Sequence, residues 1–275
     1  MRRIDLDLLK EKIVESILKM NYQISDQMSC AFHDALKNED NDLAKKVIKE
    51  LIENAEIALN RKIPMCQDTG IVVCFLEIGT EIYLDDFETV INEAVRKAYV
   101  ENYLRKSVVK DPIIRENTLD NTPAIIHTKI VTGDVFNLKI CCKGAGSENM
   151  SALKMMSPSE GVEGIKEFVI ETVKNTGGKA CPPLTIGIGI GGNFETCALL
   201  SKQALFKSNE NDKDIIALEE DIKNQINELG IGPLGFGGKT TCVKVSILKA
   251  PCHIASLPVA LNIQCHANRH DEINM

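Results

Sequence analysis

The sequence contains no tryptophan, and its eight Phe and four Tyr are a thin stock of aromatic rings for 275 residues. Rows of stacking platforms for bases or sugar rings cannot be built from so few. An excess of positive charge is also missing. The 32 Lys and Arg face 39 Asp and Glu, and the formal charge of −7 repels phosphate backbones at long range. Nucleic acids are therefore excluded as partners, and polysaccharides lose their main support. No stretch approaches the ~18 unbroken apolar residues of a membrane span. The opening Met1–Asp7 is interrupted by charged residues, so it does not read as a secretory leader. No Cys-x-x-Cys occurs, which removes the signatures of a zinc ribbon and of a thioredoxin-type pair. These absences together describe a cytoplasmic protein of a reducing compartment, with neither membrane nor nucleic acid among its partners.

What is present is the 44 % apolar and 26 % charged balance of a chain with a real core, together with ten cysteines. From Ile4 to Leu59 apolar residues recur at helical spacing, which predicts three amphipathic helices. Ile63-Pro64 stops the last of them, and the polar turn Met65-Cys66-Gln67-Asp68-Thr69-Gly70 leads into the β-rich run Ile71 to Leu76. A further helix starts at Phe87 and is expected to end near Arg105. Runs at 124–131 and 135–142, separated by Thr132-Gly133-Asp134, predict a hairpin. The segment Lys143 to Asn149 reads as a glycine turn able to turn backbone N–H groups toward a ligand. Helices are predicted at 159–175, 194–206 and 215–229, with strands at 184–190, 241–248 and 258–263. Ala250 to His253 reads as a loop, and Ser208 to Asp214 as a surface excursion. With no internal repeat and no long linker, the expected architecture is α+β: a single mixed domain over 1–275, N-terminal helices followed by strands and helices around a cleft.

Two glycine-rich segments resemble nucleotide-binding motifs and fail on context. Gly187 to Gly192 satisfies G-x-G-x-x-G, but its glycines lie within the strand-like run and not after it. Gly232 to Thr240 ends in Gly-Lys-Thr, but Pro233 occupies the position that needs the first glycine of a phosphate loop. The cysteines divide by surroundings. Cys30, Cys74, Cys141, Cys142, Cys197 and Cys242 lie in helix or strand patterns and read as buried small hydrophobes. Cys66, Cys181, Cys252 and Cys265 stand beside Pro, Gly or polar residues at element ends, where ligands are found. Widely separated loop thiolates suit an iron–sulfur cluster, since each iron takes one thiolate from wherever the fold supplies it.

Four segments, in order, carry a family resemblance: Met65 to Gly70, Lys143 to Asn149, Ala180-Cys181-Pro182-Pro183 with Gly187 to Gly192, and Ile263 to Arg269. Together they resemble the class I, iron–sulfur fumarate hydratases and L-tartrate dehydratases, specifically the α subunit, equivalent to the N-terminal domain of single-chain members. The resemblance implies a 4Fe-4S cluster on Cys66, Cys181 and Cys265, with one iron left open as a Lewis acid. It implies substrate contacts from Gln67, Asp68, Arg105, Gly144 and Gly146, and places Asp68 and His253 in catalysis. Arg105 matches an arginine that grips a substrate carboxylate, a task suited to its planar fork. Met150 departs from the family, since several single-chain members carry Lys there. The implied activity is reversible hydration of fumarate to L-malate, a step of the tricarboxylic acid cycle. The alternatives are L(+)-tartrate dehydration, or a non-catalytic role as a cluster-bearing sensor or zinc-binding scaffold. The implied partners are a C4 dicarboxylate substrate and, in an oligomer, a β subunit that supplies the remaining substrate-binding groups and the catalytic base.

Overall fold

The computed structural model describes residues 1–207 and 211–275 of an α+β chain. Its contacts gather into two compact units, each assembled from separated stretches of sequence. The first comprises Met1–Ser25, Asn54–Ala145 and Arg269–Met275. Its helix α1 (Leu6–Tyr22) starts where the Asp5 carboxylate accepts the Leu8 N–H, a cap that satisfies one of the four orphan donors of a helix start. Leu9, Ile13, Ile17 and Met20 form its buried stripe. Helix α4 (Phe87–Glu101) is capped in the same way by Asp86. These two helices share a core with one face of a four-stranded sheet, through Ile91, Val95 and Tyr99 against Val72, Cys74, Leu76, Leu138 and Ile140. The strands are β1 (Ile71–Gly79), β2 (Ile125–Val131), β3 (Phe136–Lys143) and β8 (His270–Asn274), in the order β2-β1-β3-β8.

That order corrects the expected hairpin. β2 runs parallel to β1, and β3 is antiparallel to β1, so β1 lies between the two strands that were to form the hairpin. Residues 132–135 cross the end of β1, where Gly79 N–H bonds to Val135 O and Glu81 N–H to Gly133 O. Four residues suffice, because two inter-strand spacings amount to only about 10 Å. α4 ends at Glu101, short of Arg105, and Tyr103 beyond it takes a positive φ of 56°.

The second unit comprises Asp26–Glu53 and Gly146–Asn268; the division falls within α3 (Asp42–Arg61). Helix α2 (Asp26–Asn38) buries Met28, Phe32 and Ala35. Cys30 falls between these positions and is exposed, contrary to its expected burial. The sheet order is β4-β7-β5-β6, from β4 (Ala152–Met156), β5 (Leu184–Gly192), β6 (Cys242–Cys252) and β7 (Leu257–Gln264). Ile186 and Ile188 pack one face of β5 into a core with α6 (Gly161–Thr176) and α8 (Lys213–Glu228). The alternate residues are Gly187 and Gly189, on which α7 (Phe194–Ala204) lies so close that added Cβ atoms would overlap the carbonyl oxygens of Ser201 and Cys197. The glycines of the dinucleotide-like motif therefore serve helix–strand packing. The phosphate-loop look-alike has its own anion: the buried Glu39 carboxylate accepts the Lys239 N–H at 2.7 Å, and a Cβ on Gly238 would lie 2.6 Å from it.

β6 continues through Cys252, where a loop was expected. Pro251 is tolerated there because β6 is an edge strand and the pairing with β5 skips it, passing from Ala250 to Cys252 at a register shift. Of the surface excursion, Ser208 to Glu210 lie outside the described residues, while Asp212 caps α8 by accepting N–H groups of Asp214 and Ile215. Among the described residues no helix is long and apolar enough to cross a membrane.

Candidate functional site

In the first unit the Met65–Gly70 turn is fastened by polar groups beneath it. Met65 N–H donates to Asn21 O and Met65 O accepts from Asn54 Nδ2, both at 2.9 Å. Tyr99, fully buried, shares its single hydroxyl proton between Thr69 O (2.7 Å) and Gly70 O (3.0 Å), and Asn121 Nδ2 donates to the same Gly70 carbonyl at 3.1 Å. Burial pushes the Tyr99 phenol well above its ordinary range, so it remains a donor. Gly70 adopts φ +81°, and a Cβ there would lie 2.8 Å from the main chain of Cys142 and Lys143, so the turn admits no side chain at that point.

Fixing the carbonyls leaves Gln67 exposed and Cys66 half-buried. Asp68 is held by both carboxylate oxygens: Oδ1 accepts Gly70 N–H at 2.9 Å and Oδ2 accepts Ala145 N–H at 2.8 Å. Its own carbonyl accepts from Arg269 Nη1 at 2.6 Å. The buried Gly144 sits where Asp68 and Arg269 converge, 3.1 Å and 3.3 Å from where a Cβ would be. Arg105 is exposed on the segment after α4, and its carbonyl accepts the Thr69 hydroxyl at 2.8 Å, tying that segment to the turn.

The second unit holds Cys181, Cys265, Gly146 and His253. Cys181 is exposed, in a left-handed conformation (φ 55°, ψ 67°) between a short 3-10 turn, Gly177–Ala180, and β5. Its carbonyl accepts His266 N–H at 3.0 Å, and His266 Nδ1 lies 3.2 Å from it, so the residue after Cys265 is joined to Cys181. Cys265 itself is half-buried just beyond β7, and its carbonyl accepts Asn268 N–H at 3.0 Å. Two buried acceptors flank it, Gln264 Oε1 and Asn268 Oδ1, in side chains only 2 % and 3 % exposed, and among the described residues neither has a hydrogen-bond partner. Gly146 belongs to one helical turn, α5 (Ala145–Glu148), where an open glycine turn was expected, and lies close to Lys179 O in the turn before Cys181. His253 is exposed between β6 and β7 with its Nδ1 accepting Ala255 N–H at 3.1 Å, an arrangement in which Nε2 carries the ring proton. The neighbouring Cys252 thiol donates to Ser256 O at 3.4 Å.

The other cysteines behave differently. Cys74, Cys141, Cys142, Cys197 and Cys242 are buried as expected, and burial pushes the Cys197 thiol up to about 11 and that of Cys242 to about 12. Such thiols stay protonated and are poor ligands. Among the described residues no group of three or more His, Cys, Asp or Glu is gathered as for a single metal ion. Asn21, Tyr99, Asn121 and Arg269 are site-supporting residues that the sequence reading missed. Asn21 left a signal: it continues the i+4 stripe Ile13, Ile17 with a polar side chain in a buried position. Met150, the family departure, packs against the core of the second unit.

Comparison with known proteins gives a consistent result. A 41 % identical relative in Methanocaldococcus jannaschii, provisionally named L(+)-tartrate dehydratase subunit alpha, aligns over 95 % of each chain. The L(+)-tartrate dehydratase subunit alpha of Escherichia coli K12 is 29 % identical over 94 % of this chain and 89 % of its own, and that of strain UTI89 is 29 % identical over 96 % and 91 %. The family model described as fumarate hydratase (Fumerase) matches residues 10–274, and the chain belongs to that family.

Proposed function

We propose that this chain is the cluster-bearing α subunit of a heteromeric hydro-lyase that adds water to, or removes it from, a C4 dicarboxylate. Residues 1–275 are read as the α-subunit-type domain, with Cys66, Cys181 and Cys265 as ligands of a 4Fe-4S cluster. The donor chemistry supports this: all three thiols are exposed or half-buried on turns, whereas the five core cysteines are buried, two of them with strongly raised thiols. A cluster spreads its ligands more widely than a single ion, because each thiolate binds a different iron. When bound, such a cluster offers an iron without a protein ligand, and with it Lewis acidity toward a hydroxyl.

The remaining work falls to the chain's own side chains. Arg105, exposed but fixed at its carbonyl, binds a substrate carboxylate with its fork. Gln67 supplies amide hydrogen bonds from the same turn as Cys66. Asp68 handles a proton at the substrate hydroxyl, its carboxylate held still by the N–H groups of Gly70 and Ala145. Gly146 gives main-chain access, and His253 presents Nε2–H. The β partner supplies the second carboxylate clamp and the base that takes the carbon-bound proton.

The observation that carries this reading is the near full-length match to proteins named as dehydratase α subunits. Those names also favour L(+)-tartrate over fumarate as the substrate to assay first. The test is anaerobic co-expression with a β-type partner, iron and sulfide analysis, and rates on L(+)-tartrate and on fumarate. Turnover of either by the iron-loaded pair supports the proposal; an iron-loaded pair inert toward both refutes it.

A further inference from the structure

We propose that Arg269 is a positioning residue for Asp68, holding the reactive carboxylate in place by gripping the main chain beneath it. This rests on the reading of Asp68 as the proton-handling group. The inference starts from burial: Arg269 is only 3 % exposed, so its guanidinium does not reach out to a ligand as Arg105 does. Its Nη1 instead donates to Asp68 O at 2.6 Å and to Asn21 Oδ1 at 3.0 Å. Asn21 is itself anchored, its Nδ2 donating to Ile17 O within α1 at 2.9 Å and its carbonyl receiving Met65 N–H. Arg269 O accepts Cys142 N–H at 3.1 Å, which fixes the arginine's own backbone to β3. Arg269 thus links three elements, its guanidinium joining helix α1 to the Met65–Gly70 turn and its main-chain carbonyl joining both to strand β3.

The link bears on the carboxylate through a short lever. Asp68 has two rotatable side-chain bonds, and its oxygens meet the N–H groups of Gly70 and Ala145 only if its Cα is correctly placed. Arg269 sets that Cα through the adjoining carbonyl. The second arm of the guanidinium runs beside Gly144, where a Cβ would lie 3.3 Å from Arg269 Nη2 and 3.1 Å from Asp68 Oδ2, close enough that one of them must give by a few tenths of an ångström. Gly144 therefore reads as the residue that lets arginine and carboxylate close on the same turn. A charge-assisted hydrogen bond to a carbonyl contributes more than a neutral one, and its loss leaves the part-buried Asp68 carbonyl without that donor.

Ala145 is exposed, so protection of its N–H against exchange reports its bond to Asp68 Oδ2 and needs neither cluster nor substrate. In the full-length chain, Arg269→Gln is expected to speed exchange at Ala145 and Gly70 by at least about tenfold, as Asp68→Ala does, while Leu138 and Ile140 in β3 stay protected. Arg269→Lys, which retains a charged donor on a long stem where Gln offers only a shorter neutral amide, should fall between. If Arg269→Gln fails to fold, Asn21→Ala withdraws one of the arginine's acceptors and should give the same pattern, weaker. In the iron-loaded complex, Arg269→Gln should lower kcat with KM and iron content held, and its effect should not multiply with that of Asp68→Asn. Unchanged exchange at Ala145 in a folded Arg269→Gln or Asn21→Ala chain, or independent multiplying effects on kcat, would overturn the proposal. Because the exchange measurement stands without turnover, a failure of the hydro-lyase reading is told apart from a failure of this one.

Discussion

Replacing Tyr99 by Phe removes one oxygen atom from beneath the Cys66 turn and leaves the ring in place. The loss is asymmetric. Gly70 O keeps its bond from Asn121 Nδ2, but Thr69 O loses the 2.7 Å bond from the phenol in a site closed to water. A buried acceptor left unsatisfied costs about 1–3 kcal/mol. The ring lies in the core formed with Val95 and Leu104, whose apolar side chains offer Thr69 O no replacement donor. For a chain of this size each kcal/mol corresponds to a melting shift of about 2–4 °C, so a fall of about 2–12 °C is expected. If Cys66 holds a cluster as proposed, loosening its turn should make iron release under a mild chelator outpace global unfolding. Differential scanning calorimetry and the time course of iron release, run on wild type, Tyr99→Phe and Asn121→Ala, measure both. A Tyr99→Phe chain that melts with the wild type and keeps its iron equally well would refute the argument that the turn is held from below.

Further expectations concern ligands, packing and pH. Cys66→Ser, Cys181→Ser and Cys265→Ser should each prevent stable cluster assembly, since a hard hydroxyl replaces a soft thiolate, whereas Cys252→Ser should retain most of the iron; iron and sulfide analysis decides. Activity should be abolished by air while circular dichroism stays near native, and should return with anaerobic iron and thiol; persistent activity in iron-free protein would contradict the cluster. Gly144→Ala pushes a methyl to within 3.1 Å of Asp68 Oδ2 and should lower kcat more than it lowers the melting temperature. Partial burial pushes the Asp120 carboxyl up, but bonds from the Thr122 N–H and hydroxyl and from Arg96 outweigh it and hold the group at about 2. Its folded value lies below its unfolded one, so its contribution is complete above about pH 4 and fades as pH falls toward 2. Asp120→Asn should therefore flatten the acid limb of a stability profile measured by urea denaturation.

Local pattern carried much of this fold. The three opening helices lie where Ile4 to Leu59 placed them, and the core cysteines of strands and α7 are buried. What sequence could not convey was pairing. Thr132-Gly133-Asp134 has turn chemistry, but whether the flanking strands meet or admit β1 between them depends on contacts far away in sequence. β8 was missed because His270-Asp271-Glu272 is polar and becomes a strand only by pairing with β3. At the site, the turn residues were legible from polarity and glycine, whereas the groups supporting them were not. Tyr99 and Arg269 act through main-chain carbonyls, which leave no side-chain motif to recognise.

The central claim is that this chain carries half of a hydro-lyase. Its most direct test is the rate of water removal from L(+)-tartrate, and of water addition to fumarate, by the anaerobically iron-loaded chain alone and with its β partner, at matched iron content. The account predicts turnover of one of these C4 acids by the pair and none by the chain alone; equal rates in the two samples, or an iron-loaded pair inert toward both acids, would contradict it.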